Sequence, residues 1–357
     1  MDLFSPLTLG DLKLSNRLVM APLTRSRSSK DGVPTAEVVE YYRQRASMGL
    51  IVTEGTYPSV TGQGFVRQPG LVTAEQIAGW KKVTDAVHAE GGLIVAQVMH
   101  AGRVTHPETT GVDHVEAPSA IAINGESHTY TGKHAYPVPR ALSAEQLPEI
   151  IEQFVTASRN AIAAGFDGVE LHGANGYLLH EFLAPTSNTR TDAYGGSPQN
   201  RARFVIEVAT AVANAIGAGK TGLRISPEHN IQDVLELDAA DVAATYTALL
   251  EGIAPLGLAA LSILHKDPSG ELVQSLRKTF AGPVLLNTGF QSITTYEEAR
   301  NVAAEGWGEA VVVGRPAIAN PDLVRRWRDE LPLNELDAST LYTEGAPGYT
   351  DYPFWQN

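Results

Sequence analysis

His172, Asn175 and Tyr177 fall within one short segment, His172-Gly173-Ala174-Asn175-Gly176-Tyr177. An imidazole and a carboxamide can donate hydrogen bonds to a carbonyl or nitro oxygen, and a phenol can deliver a proton. Converging on one ligand, these three would polarise and protonate it. A second concentration lies near the C-terminal end, in Asn287-Thr288-Gly289 and Gly314-Arg315. Glycine exposes backbone N–H groups and Arg315 adds a fork-shaped cation, which together suit a phosphate. The plainer reading makes Gly289 and Gly314 turn glycines and Arg315 a surface charge. A third reading groups His100 and His172 with Glu54, because imidazoles and a carboxylate could hold a metal and support hydrolase or lyase chemistry.

These residues need elements to position them. Short apolar runs recur at Leu18–Ala21, Leu50–Glu54, Leu93–Met99, Gly168–His172, Gly222–Ser226, Ala259–Leu264, Pro283–Asn287 and Ala310–Val313. Longer amphipathic stretches separate them, an order that implies parallel strands joined by helical crossovers. Thr35, Thr73 and Ser143 are placed as helix caps, and Gln76 and Gln146 stand three residues after the last two, at capping-box spacing. Gly91, Gly165 and Gly306 follow helices where a left-handed cap is needed. Eight such units predict an α/β fold, a (β/α)8 TIM barrel, with residues 1–357 as one domain. The segment LTLGDLKLSN before the first strand reads as a hairpin plugging the barrel bottom. Ala101–Ala141 is a long excursion after strand three, either a lid or a solvated hairpin.

In a parallel barrel the site forms at the C-terminal strand ends. There the sequence places Pro22, Leu23, Thr24, Gly55, Gln97, Met99, His100, His172, Arg224, Asn287, Thr288, Gly289, Gly314 and Arg315.

Composition narrows the chemistry further. The 357-residue chain has a formal net charge of −13 and no cysteine. The negative field disfavours nucleic acid and anionic lipid as partners, and disulfides, thiolate-bound metals and a cysteine nucleophile are excluded. Redox chemistry would need an organic cofactor or non-thiolate metal ligands. Asp2, Pro6 and Gly10 interrupt the start where a secretory signal would carry a basic and then an apolar stretch. No run approaches the ~18 apolar residues that span a bilayer, so a cytoplasmic protein is expected. No G-x-G-x-x-G occurs, and Gly219-Lys220-Thr221 lacks the upstream glycine of a P-loop, Asn214 standing there instead.

Several longer segments carry a family resemblance: APLTR (21–25), QVMHAGR (97–103), HGANGYLLHEFLAPTSNTRTDAYGGSPQNRARF (172–204), LRISP (223–227), VVVGRPAIANPDL (311–323) and GYTDYP (348–353). The chain resembles the Old Yellow Enzymes of bacterial type from the first strand to its C-terminus. The resemblance implies an FMN-dependent ene-reductase that takes electrons from NADPH or NADH. It implies ping-pong turnover, in which hydride passes to FMN and then to an activated alkene such as an enone, enal, nitroalkene or maleimide. Nitro compounds and nitrate esters are alternative oxidants within the family.

On the same footing, Thr24 would bond the flavin C4 oxygen while Pro22, Leu23 and Gly55 line the ring. Gln97 and Arg224 would address its pyrimidine edge, Thr288, Gly289, Gly314 and Arg315 would hold the phosphate, and Asn287 would also belong to the cofactor site. His172 and Asn175 would bind the activating oxygen, and Tyr177 would protonate the alkene carbon. Met99 stands where relatives usually carry tryptophan, and Phe65 where tyrosine is common, implying a wider, less polar pocket. Tyr342 matches a cavity-lining tyrosine, although a rim-packing aromatic would look the same. Subtypes with fused electron-transfer domains need iron–sulfur cysteines, and thermophilic-like ones usually carry cysteine at Thr24; this chain has neither. A small-molecule oxidant and a nicotinamide are the expected partners, in a monomer or homodimer. A barrel that binds a ligand without turning it over is the remaining alternative.

Overall fold

Alternating short strands and helices close into an eight-stranded parallel barrel. The computed structural model describes residues 1–289 and 292–356. From the N-terminus run β1 (Leu7–Leu9), β2 (Leu12–Leu14), β3 (Leu18–Met20), β4 (Leu50–Val52), β5 (Ile94–Val98), β6 (Glu116–Ala117), β7 (Glu126–Thr129), β8 (Gly132–Ala135), β9 (Arg140–Ala141), β10 (Gly168–Gly173), β11 (Thr221–Ile225), β12 (Ala260–Leu264), β13 (Val284–Asn287) and β14 (Ala310–Val313). Strands β3, β4, β5, β10, β11, β12, β13 and β14 pair in that order and β14 returns to β3. The eight expected runs coincide with these strands to within two residues at either end.

The helices are α1 (Ala36–Gln44), α2 (Ala74–Ala89), α3 (Pro107–Thr110), α4 (Leu147–Ala163), α5 (Leu178–Leu183), α6 (Pro198–Ile216), α7 (Ala239–Ile253), α8 (Glu271–Phe280), α9 (Tyr296–Ala304), α10 (Arg315–Ala319) and α11 (Leu323–Arg328). Thr73 and Gln76 form the full capping box that opens α2. Ser143 does not cap α4, which begins at Leu147 with Gln146 as its cap. Only the reach-back half survives, the Ser143 N–H donating to Gln146 Oε1 at 2.9 Å. Pro148 explains the shift: it is tolerated in a first turn but would lose a ladder bond deeper in a helix. Thr35 caps α1 by backbone alone; its hydroxyl donates to Arg27 O at 3.0 Å. Gly91, Gly165 and Gly306 adopt φ of 77°, 91° and 68°, the left-handed conformation their places require.

The β1–β2 hairpin buries Leu9, Leu12 and Leu14 against Val19, Val52, Val95 and Leu285. Each leucine contributes about 1.5–3 kcal/mol of burial, and together they seal the barrel bottom. The excursion after β5 holds α3, the β6–β9 pair and the β7–β8 hairpin. Among the described residues no helix is long and apolar enough to cross a membrane.

Candidate functional site

Above the apolar plug, the barrel interior turns polar because its strands place inward side chains side by side. Ladder register sets Gln97 beside Glu170, and Arg224 between His172 and Ser262. Gln97 Nε2 donates to Glu170 Oε1 at 2.8 Å. Arg224 donates from Nη1 to Ser262 Oγ and from Nη2 to Asn287 Oδ1, both at 2.9 Å. Asn287 in turn donates from Nδ2 to Val312 O at 3.1 Å. The guanidinium is thus fixed from one side by two strands. Burial pushes the Glu170 carboxyl above its usual range, with Arg224 and Gln97 opposing.

Three buried polar atoms remain without a protein partner here: Arg224 Nε, His172 Nδ1 and Asn175 Oδ1. Leaving a buried polar group unpaired costs about 1–3 kcal/mol, so this concentration marks where a ligand supplies the missing bonds. His172 is held well below the ordinary imidazole value by burial, then by the nearby Arg224 charge. Its ring is therefore neutral at neutral pH and can donate one N–H.

Local backbone sets the Asn175 and Tyr177 directions. Asn175 and Gly176 have φ of 58° and 81°, a left-handed pair that suits asparagine and glycine. Gly176 is required: an added Cβ would lie 2.7 Å from Gln232 Cβ. Tyr177 then caps α5, 5.1 Å from the His172 ring. Burial raises its phenol well above 10, with Tyr136 and Tyr342 adding to the effect, so it keeps its proton.

An apolar cluster of Met99, Ala101, Val104, Ile123 and Tyr177 roofs this end, with Phe65 and Tyr136 against it. Phe65 meets Tyr177 edge-on at 6.3 Å. Met99 approaches so closely that a Cβ on Gly55 would lie 2.5 Å from its sulfur. Within the excursion, β7–β8 is mostly exposed, while Ile123 and Tyr136 pack in and against the cluster that holds Tyr177. Tyr342 is 70% exposed, a residue of the mouth rather than the interior, although close enough for its phenol to influence Tyr177.

Pro22, Leu23 and Thr24 leave β3 half-buried. At the ends of the two neighbouring strands β13 and β14, Thr288 Oγ1 lies 2.9 Å from Thr294 Oγ1, Gly289 has φ 116°, Gly314 caps α10 and Arg315 begins it. A Cβ on Gly314 would meet only Leu23 Cδ2 at 3.7 Å and Ala21 Cβ at 3.8 Å; protein packing does not demand glycine, and a closely approaching ligand would. A cavity of about 290 Å³ opens beside Thr288, Gly289 and Ser292, towards His229, His265 and Lys266. A planar heterocycle with an anionic tail fits this donor set, polar at Arg224 and Gln97 and open at Gly289 and Gly314.

The metal grouping is not assembled. Glu54 Oε2 accepts the N–H groups of Arg25 and Ser26 at 3.1 and 3.2 Å, and His100 Nε2 faces Glu116 at 3.7 Å. Among the described residues no group of three His, Asp or Glu could hold a metal ion. Glu170, Ser262, Ser226, Ile123 and Tyr136 were not singled out by the sequence. Glu170 had a signal: it stands two residues before His172, on the same strand face.

Comparison with known proteins agrees with this geometry. The model of the NADH:flavin oxidoreductase / NADH oxidase family matches residues 2–334. A probable flavin mononucleotide-dependent alkene reductase of Leishmania infantum is 43% identical over 99% of this chain and 97% of its own. The 12-oxophytodienoate reductase 1 of Oryza sativa subsp. japonica is 40% identical over 99% and 93%. Among solved structures, the Old Yellow Enzyme homologue from Zymomonas mobilis superposes with a TM-score of 0.93 at 38% identity, covering 99% of both chains. Morphinone reductase in complex with tetrahydroNAD gives 0.93 at 40% identity, over 100% of this chain and 98% of that one. The chain belongs to the NADH:flavin oxidoreductase / NADH oxidase family, that of the FMN-dependent Old Yellow Enzymes.

Proposed function

We propose that this FMN-dependent oxidoreductase reduces activated C=C bonds, in enones, enals, nitroalkenes or maleimides, with NADH or NADPH as electron donor. The observation that carries the reading is the set of unpaired buried atoms on His172 and Asn175 beside a phenol that retains its proton. When bound, FMN supplies the hydride that it has received from the nicotinamide.

The protein's own residues do the rest. His172, kept neutral, donates to the activating oxygen, and the Asn175 carboxamide completes the pair, its O and N ends being interchangeable by a flip. These bonds strengthen as charge builds on that oxygen. Tyr177 delivers its proton to the carbon α to the activating group. The roof of Phe65, Met99, Ile123 and Tyr136 excludes water and holds the alkene flat, with Tyr342 at the mouth.

Arg224 and Gln97 would address the flavin's pyrimidine edge, and Thr24 its neighbouring oxygen. Pro22, Leu23 and Gly55 would line the ring, and Thr288, Gly289, Gly314 and Arg315 would hold the phosphate. Asn287 acts through Arg224, since both ends of its carboxamide are already bonded within the protein. A nitro group presents the same oxygen to His172 and Asn175, so nitro compounds fit the same pocket.

Anaerobic stopped-flow absorbance tests the proposal. Flavin should bleach with NADH or NADPH and recover on mixing with 2-cyclohexenone. Bleaching without recovery across a panel of enones, nitroalkenes and maleimides would overturn it.

A further inference from the structure

One turn beyond Tyr177, His180 reaches back along the chain. Its Nδ1 accepts the Gly176 N–H at 2.9 Å, and its Nε2 lies 3.2 Å from Glu236 Oε1. Both residues are buried, His180 fully and Glu236 to 7% exposure. An accepting Nδ1 carries a lone pair, so the ring proton sits on Nε2 and faces the carboxylate. Glu236 is itself fixed. Its Oε2 accepts the Glu228 N–H at 2.7 Å, its own N–H donates to Asn230 Oδ1 at 2.6 Å, and the Tyr246 phenol abuts it.

A carboxylate that sets the tautomer of an imidazole, freeing its other nitrogen to act, is familiar from hydrolase triads. Here the free nitrogen holds a backbone amide. That amide belongs to the left-handed Asn175–Gly176 pair, and the pair's other N–H, that of Asn175, donates to Ser226 Oγ at 2.9 Å. Each N–H of the turn is thus gripped by one side chain from outside it. The loop that supplies Glu236 is also unusual: Glu228, Gln232 and Asp233 have φ of 60°, 59° and 55°. Such conformations persist only where surrounding contacts over-determine them, and the Glu236 bond to Glu228 is one such contact.

We propose that His180 and Glu236 form a buried positioning pair that holds the Asn175–Gly176 turn and so aims both Asn175 and the Tyr177 hydroxyl. The inference rests on the reading of Asn175 and Tyr177 as substrate-facing groups. Neither His180 nor Glu236 touches substrate.

Replacement separates the pair's parts. His180→Asn places an amide oxygen where Nδ1 stands and keeps an acceptor for Gly176, whereas His180→Leu removes it. Glu236→Gln keeps the size but offers one oxygen where the carboxylate presents two, one accepting the Glu228 N–H and the other 3.2 Å from His180 Nε2. Two measurements on the FMN-loaded full chain decide the matter. The first is ¹⁵N NMR of the histidine-labelled protein, which reads the tautomer without turnover. His180 should be protonated at Nε2 alone, and Glu236→Gln should shift it towards the Nδ1-protonated form. A wild-type His180 protonated at Nδ1, or an unchanged tautomer in Glu236→Gln, would overturn the proposal whatever the enzyme reduces.

The second is kcat for 2-cyclohexenone, beside far-UV circular dichroism to confirm folding. Displacing a reacting group by about 1 Å costs about a hundredfold. His180→Leu should therefore lose about tenfold or more, and His180→Asn should stay within about threefold of wild type. A Leu variant as fast as wild type, or an Asn variant as slow as Leu, contradicts the positioning role. If His180→Leu does not fold, the tautomer shift in Glu236→Gln decides alone. Failure of wild type to reduce any enone would strike the functional reading and leave the NMR result standing.

Discussion

The rings of His172 and Tyr177 lie 5.1 Å apart at a tilt of 51°, the first at the next-to-last residue of β10 and the second at the cap of α5. An oxygen bound to His172 therefore leaves its conjugated carbon within range of a phenol that holds its proton. Tyr177→Phe should leave flavin reduction by nicotinamide unchanged within about twofold. It should slow reoxidation by 2-cyclohexenone by about 10² or more, the range for loss of a general acid. Stopped-flow absorbance reads both half-reactions, and equal loss in both would contradict the assignment.

Removing the oxygen-binding pair is a separate test. With His172 and Asn175 jointly replaced by alanine, phenolic ligands lose their anchoring bonds. Each hydrogen bond to such a group contributes about 0.5–1.5 kcal/mol, so the two together should weaken binding by about tenfold. A charge-transfer titration with a para-substituted phenol measures this directly. An unchanged titration would show that the unpaired atoms serve something else.

Arg224 offers a test on the cofactor alone. Its two Nη groups are spent on Ser262 and Asn287, which leaves Nε to face the ligand. Lysine cannot reproduce three donors in one plane. Arg224→Lys should raise the FMN dissociation constant by about tenfold or more, read by recovery of free flavin fluorescence. Asn287→Ala should act in the same direction and less strongly, because it loosens the arginine without removing it.

These residues also show what a sequence can and cannot disclose. Strand ends were legible because glycine, histidine and arginine interrupt apolar runs at a fixed place in each repeat, and Thr73 with Gln76 carried its spacing openly. Ser143 with Gln146 carried the same spacing and misled, since Pro148 moves the helix start. The partners Glu170 and Ser262 depend on inter-strand register, which no single run contains. Ile123 and Tyr136 lie in a segment without periodicity, so nothing local shows that they fold over Tyr177. His180 and Glu236 meet only because β10 and β11 are neighbours. Tyr342 was matched by resemblance to a cavity-lining tyrosine, and its high exposure could not be read from the sequence around it.

Acidity supplies a prediction with a definite sign. Glu181 is fully buried, and burial raises its carboxyl to about 8 against the opposing pull of Arg103. Its Oε1 accepts the Arg103 N–H at 2.8 Å. A folded value above the unfolded one means that the native state holds more protons between about 4.5 and 8. The resulting stability is complete below 4.5 and is lost as pH rises through that window, by at most about 1.4 kcal/mol per unit. Glu181→Gln cannot ionise, so its unfolding free energy should gain on wild type as pH rises from 5 to about 8 and keep a constant offset above that. Urea unfolding across this range checks it, and a pH-independent difference would mean that Glu181 is ionised when folded.

The last prediction concerns the segment that carries Tyr342 over the mouth. Arg27 donates to the carbonyls of Thr340 at 2.8 Å, Leu341, Gly345 and Pro347 each at 3.0 Å, and to Thr343 Oγ1 at 3.1 Å. Arg25, immediately after Thr24, adds bonds to Leu341 O at 3.1 Å and Gly348 O at 2.7 Å. The turns from 340 to 348 therefore hang largely on two guanidinium groups that issue from the end of β3. A hydrogen bond to a charged group contributes about 1.5–3 kcal/mol, so losing even one net bond should speed local opening by tenfold or more. Arg27→Ala should accelerate amide exchange in residues 340–348 by at least that factor and leave the barrel strands protected. With the largely exposed Tyr342 proposed to stand at the mouth of the pocket, the same variant should raise KM for bulky enones more than it lowers kcat. A uniform rise in exchange across β3, β10 and β14 would instead identify Arg27 as a support of the whole barrel.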